Sequence, residues 1–206
     1  MLKALHINIR TETARPGLRR VIVRFGSDRN GATAVEFAFV AVPFLGLLFA
    51  ILETAFVFFT TEGLESAVAD AARTIMTGQV QSTSIANSAQ FRDQMICNPT
   101  PPRKRLLPDY IDCSKVLVDV RQASAFATTD MSRNFYMNPT MNYSPGGGGC
   151  IVVVRAAYPM PVFFPLLTVS GVSTAGQVSF DNGMKHMLVG TAAFRNEPFP
   201  GSTPSC

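Results

Sequence analysis

Apolar and polar positions divide the chain into three stretches of different grain. Residues 1–31 mix basic and apolar positions without a sustained helical period and are broken by Pro16-Gly17, the pattern of an extramembrane leader. From Ala32 to about Phe59 the chain is apolar, with only Glu36 and Glu53 charged, and Phe37–Leu52 is a run of 16 residues without a charge. About 20 apolar helical residues cross a bilayer core, so Phe37 to Phe59 predicts a transmembrane helix with some tilt. Pro43 removes one backbone donor and leaves the Phe39 carbonyl without its usual partner, which membrane helices accept as a kink. The pattern then changes without a break. Leu64, Val68, Ala71, Ala72 and Ile75 recur at helical spacing, with Glu65, Asp70 and Arg73 off that stripe, and Gly78 is placed to cap the end. One helix from about Ala32 to Thr77 is expected, ~70 Å long at ~1.5 Å per residue.

Beyond Gly78 the grain is finer. Residues 79–88 read as a polar linker, 88–98 as a short helix with Phe91, Met95 and Ile96 on one side, and 98–108 as a loop. Lys115–Arg121 alternates like a strand, Cys150–Tyr158 is a second strand, and Met184–Phe194 a third. The segment 159–169 is apolar but holds three prolines, so it is expected as a loop over the core or near the membrane rather than a span. Three strands packed on the upper half of the helix make an α+β fold with a small antiparallel sheet. The expected organisation is a leader at 1–31, a transmembrane and extended helix at 32–78, and an α+β domain at 79–206.

Composition sharpens this. The chain is 47% hydrophobic and 16% charged, apolar for a soluble domain, and the excess lies in the one long segment. The net charge of +4 is unevenly placed: residues 1–31 carry seven Lys/Arg against two Asp/Glu, and residues 32–206 eleven against twelve. A nucleic-acid surface needs basic residues gathered on the folded part, where Arg103-Lys104-Arg105 is the one basic run and reads as a solvated loop. No nucleic-acid partner is expected. Arg19, Arg20, Arg24 and Arg29 closely precede the span and Glu62 and Glu65 follow it, so the N-terminus is expected in the cytoplasm and the C-terminus outside. Cys97, Cys113, Cys150 and Cys206 all lie on that outer side, which suggests disulfides in an oxidising compartment. Of the three connectivities, Cys97–Cys113 with Cys150–Cys206 is the one expected; four buried free thiols are the alternative.

Motifs for chemistry are missing from the sequence. There is no GxSxG elbow, HExxH, EF-hand or dinucleotide fingerprint, and His6 and His186 are too isolated for a metal site. Gly146–Gly149 is followed by no GK[ST] and reads as a flexible turn, Asp109 and Asp112 as solvent-facing loop carboxylates, and Asn142-Tyr143-Ser144 as a chance sequon. No cofactor, metal or catalytic residue is expected.

What remains is the stretch Asn30-Gly31-Ala32-Thr33-Ala34-Val35-Glu36-Phe37. It resembles the processing site of type IV pilin-like proteins, in which a basic leader ends in Gly and Glu stands fifth in the mature chain. Phe37 after Glu36 resembles the form found in pseudopilins of tight-adherence (Tad/Flp) pili. Pro43 within the span, Ile51-Leu52-Glu53 toward its end, the Ala-rich helix ESAVADAART and the late Phe194-Arg195-Asn196-Glu197-Pro198 are similar to the TadE-like family. The resemblance implies a minor pseudopilin, a structural component rather than an enzyme. It implies cleavage between Gly31 and Ala32 by a prepilin peptidase, and partners among other pilins, pseudopilins and the Tad inner-membrane assembly platform. It also implies a bacterial inner-membrane location with a periplasmic domain that can enter an extracellular pilus. Cleavage would leave an ammonium at Ala32, and Glu36 can pair with a neighbour's ammonium inside a packed bundle, where an unpaired charge is costly. Glu36 and Phe37 are thus expected assembly contacts, and Glu53 is a second candidate that the residues leave open between a subunit contact and simple hydration. The rival readings are a single-pass membrane protein whose outer domain binds a partner outside any pilus, and an imported enzyme with an Arg-rich transit peptide. Glu12, Asp28 and the missing catalytic constellation weigh against the latter.

Overall fold

A computed structural model describes residues 31–128, 133–137, 141–163, 177–180, 183–200 and 206. Residues 1–30 of the expected leader at 1–31 and the Pro-interrupted run beyond Phe163 lie outside them. The chain divides into two compact units, 1–48 and 49–206.

In the first unit the described residues after Gly31 are helical. They belong to α1 (Ala32–Met76), which contains Pro43 and continues into the second unit. Apolar side chains point outward on every side here: Phe37, Phe39, Val40, Val42, Phe44 and Leu47 are each at least 63% exposed. A helix apolar all round belongs in a membrane or in a large core, and the most apolar window of α1 is covered by nothing in the structure. It is long and apolar enough to cross a bilayer.

The second unit is α+β. Here α1 is striped, and Leu64, Val68, Ala71, Ala72 and Ile75 are fully or nearly fully buried. They pack on a four-stranded antiparallel sheet made of β1 (Leu117–Ala123), β2 (Ile151–Pro161), β3 (Gln177–Phe180) and β4 (Gly183–Arg195), in the order β1-β2-β4-β3. Alternation sets the facing: Val118, Val120, Val152, Val154, Ala156 and Leu188 join the helix stripe in one core. Gly190 of β4 lets the helix come close, because a Cβ there would stand 3.3 Å from the Glu65 Cα and the Val68 side chain. Gly78, with φ of 77°, turns the chain out of α1, and its amide caps the Ile75 carbonyl at 3.0 Å.

The sheet differs from its sequence reading in two ways. β3 is an added fourth strand, four residues long and too short to show alternation, for which the turn-prone Asp181-Asn182-Gly183 is the available signal. β2 also runs on through Pro159 and Pro161. This is possible because β1 pairs with β2 only as far as Ala157, so the prolines occupy a stretch whose β1 side is unpaired.

The face of the sheet away from α1 is covered as well. Phe135, Tyr136, Met141, Leu117, Ala157, Met187 and Val189 form a second, smaller cluster there. Both faces of β2 are therefore buried along nearly its whole length. Between α1 and β1, α2 (Ser88–Phe91) opens with Asn87 Oδ1 accepting from the Gln90 amide at 2.9 Å, then widens into a π-helical turn at Arg92–Cys97. Two disulfides close the unit: Cys97–Cys113, with Cα atoms 6.1 Å apart, and Cys150–Cys206, 5.6 Å apart.

Candidate functional site

The residues singled out by sequence fall at three places along α1. Gly31 directly precedes the helix, and a Cβ built on it would meet nothing within 4 Å. Glu36 is exposed, in the second turn, and the first turn holds no acidic residue. The helix dipole acts mainly within the first turn, so the dipole contributes little to holding a carboxylate at Glu36. Phe37, 73% exposed, stands beside it. These positions make an open end of the helix, and the one charge at that end, Glu36, is exposed.

Glu53 is different. It is 4% exposed, and its Oε1 accepts from the Phe163 amide at 3.1 Å and lies 3.1 Å from His186 Nε2. Phe163 follows the end of β2 and His186 sits in β4, so one carboxylate ties the helix to two strands of its own chain. A seven-residue step up the helix brings Thr60, fully buried, whose hydroxyl donates to the Phe56 carbonyl at 2.7 Å and meets the Tyr110 hydroxyl at 2.7 Å. Phe56 lies between the Tyr110 ring at 5.0 Å and the Phe163 ring at 5.8 Å. The sequence places Glu53 in the helix but shows none of these partners: Tyr110 and Phe163 stand in loops with no periodic signal of their own, and His186 is in a strand whose contact with the helix is not written in its pattern.

A second polar centre was also missed. Asp119 and Arg155, opposite each other in β1 and β2, are 0% and 1% exposed. The Asp119 carboxylate accepts from Arg155 Nη2 at 2.6 Å, Arg121 Nε at 2.9 Å and the Asn142 amide at 2.9 Å. The Arg155 guanidinium lies 4.7 Å over the Phe135 ring. With the carboxylate accepting from three donors, such a pair reads as structural. The glycine turn behaves likewise. The carbonyls of Pro145, Gly146 and Gly147 accept from the Asn196 amide, and those of Pro145 and Gly146 also from Gln81. A phosphate cradle would need amides turned inward, not carbonyls. Asp109 is fully exposed at its side chain, and Asp112 caps Ser114, whose hydroxyl and amide hold its carboxyl below the usual range. No cluster of three metal-ligating side chains occurs among the described residues.

The chemically distinctive surface is therefore the outward apolar stretch of α1 with Glu36, the exposed carboxylate at its open end. Residues 31–73 match the family model described as TadE-like protein. Over this segment the chain is similar to TadE-like proteins. The match opens at Gly31, includes Glu36, Phe37, Pro43 and Glu53, and ends within the sheet-facing stripe, so the sheet and the late Phe194–Pro198 lie outside it. It supports a component associated with a Tad pilus system. No curated protein and no solved structure matches the chain.

Proposed function

We propose that this TadE-like chain is a minor pseudopilin of a bacterial Tad-type pilus, held in the inner membrane and processed after Gly31 by a prepilin peptidase. The observation that carries the reading is the coincidence at Gly31. The family match begins there, the helix begins one residue later, and the following apolar turns are exposed all round. On this reading residues 1–31 are a cytoplasmic leader, 32–78 anchor and extend the subunit, and 79–206 form its periplasmic domain.

The chain acts as a structural part, not as an enzyme, and its partners are the peptidase, other pilins and pseudopilins, and the assembly platform. The Ala32 ammonium and the Glu36 carboxylate of neighbouring subunits pair when helices leave lipid for a bundle, which offsets the cost of carrying a charge there and fixes axial register. Phe37 packs beside that contact. Of Glu36 and Glu53, Glu36 is the one open to a neighbour; Glu53 works inside the subunit.

N-terminal sequencing of the membrane-extracted protein tests this. The expected mature terminus is Ala32, Gly31→Ala leaves the leader attached, and Glu36→Ala is cut but fails to enter pili. An intact Met1, in cells whose other pilins are processed, replaces the pseudopilin with a membrane-anchored binding protein.

A further inference from the structure

The helix level Glu53–Phe59 has features that a bare anchor does not need. We infer that the folded unit enters the outer boundary of the bilayer at this level, with Tyr110 and Phe163 as the side chains that contact lipid from outside the helix. This rests on the membrane-spanning reading of α1 and names what its outer end touches.

Length is the first argument. The uncharged run Phe37–Leu52 rises about 24 Å at ~1.5 Å per residue, short of a hydrocarbon core of about 30 Å. Four further residues, as far as Phe56, supply the difference, and one of them is Glu53.

A carboxylate at that depth is costly in lipid. The fold removes the problem by burying Glu53 to 4% exposure and giving it the Phe163 amide and His186. What the fold leaves open at this level suits lipid. Phe58 and Phe59 are each 65% exposed, Ala55 is exposed, and the Thr54 hydroxyl is turned back to the Ala50 carbonyl at 2.8 Å. The covering side chains are aromatic and half open: Tyr110 is 48% exposed and Phe163 52%. Tyrosine, apolar in its ring and polar at its tip, concentrates where a membrane meets water, and the Phe163 ring adds apolar surface beside it. Depth is limited by Asp109 beside Tyr110, whose exposed carboxylate is 3.6 Å from Arg105 and belongs among headgroups.

The chain contains no tryptophan, so each introduced one is a single reporter. The full chain is placed at one copy per nanodisc of phosphatidylethanolamine and phosphatidylglycerol, with or without lipids brominated on the acyl chains. Four variants are compared: Phe44→Trp in the span, Phe163→Trp and Tyr110→Trp in the rim, and Phe126→Trp just beyond β1, past the Ala123–Ile151 end of the β1–β2 pair. Brominated lipid should strongly quench Phe44→Trp and also quench Phe163→Trp and Tyr110→Trp, whose emission should lie at shorter wavelength than that of Phe126→Trp. If both rim variants behave like Phe126→Trp while Phe44→Trp is quenched, the rim stands clear of lipid and the inference falls with the span intact. If Phe44→Trp is unquenched, the spanning reading itself fails.

Discussion

Leu47 and Leu64 belong to one helix and have opposite fates. Leu47 is 63% exposed in the first unit, while Leu64 is 0% exposed in the second. The residue type is the same and the helix is continuous, so neither accounts for the contrast. What differs is the company each keeps. Around Leu47 every neighbour is apolar, which leaves no polar face to turn to water and calls for an apolar solvent on all sides. Around Leu64 the pattern is two-sided. Glu62, Glu65 and Arg73 are exposed, Asp70 reaches Arg103 at 3.0 Å, and the apolar stripe faces a sheet. Apolar content measures how much surface must leave water; its distribution around the helix decides whether lipid or protein receives it.

That contrast can be broken or sharpened at three points. The largest effect is expected away from the helix, where the folded unit depends on a buried charge pair that has no counterpart among the described residues of the first unit. Asp119→Ala removes the carboxylate that Arg155 and Arg121 share and should cost about 3–5 kcal/mol in chemical denaturation of the detergent-solubilised chain. The double replacement of Asp119 by Leu and Arg155 by Met should recover most of that loss, because it removes both desolvation penalties together. A double variant as unstable as the single would mean the cost lies elsewhere, in Arg121 or Asn142.

Next come the two leucines themselves. Leu64→Ala should cost about 2–5 kcal/mol by the same measurement, through lost burial and the cavity left behind. Leu47→Ala should stay within about 0.5 kcal/mol, since detergent simply refills an open surface. Equal losses would show that the exposed part of α1 is packed in protein after all.

The smallest effect is one of pH. Burial pushes the Tyr143 phenol up from 10.0 to about 12, and its hydroxyl has no partner among the described residues. The folded state therefore holds this proton more tightly than the unfolded state. Its contribution is fully present below pH 10.0 and is lost as the pH rises through about 12, so alkaline denaturation should steepen in that window. Tyr143→Phe should flatten the loss while changing neutral-pH stability little, as no hydrogen bond is removed.

Much of the architecture was legible because periodicity is a local property. The switch from an all-apolar to a striped helix, the cap at Gly78 and three of the four strands follow from residues near one another in sequence. β3 escaped because four residues carry too little pattern, and the end of β2 because proline argues against a strand unless one edge is known to be free. The candidate site divides the same way. Gly31 and Glu36 are read from a five-residue spacing that needs no folding to be seen. The environment of Glu53 could not be read, since Phe163 and His186 lie more than a hundred residues away and reach it only when β2 and β4 are in register.

The sequence by itself determined a long apolar helix, the basic segment before it, the glycine–glutamate spacing at its start and an α+β unit after it, because each is written in the order and period of neighbouring residues. Only the tertiary structure decided which carboxylate stays open and which is withdrawn, which arginine is buried against Asp119, and which aromatics stand beside the helix at Phe56. Those outcomes depend on distant segments meeting. A charge is costly or harmless according to what surrounds it, and the surroundings exist only once the sheet has closed on the helix.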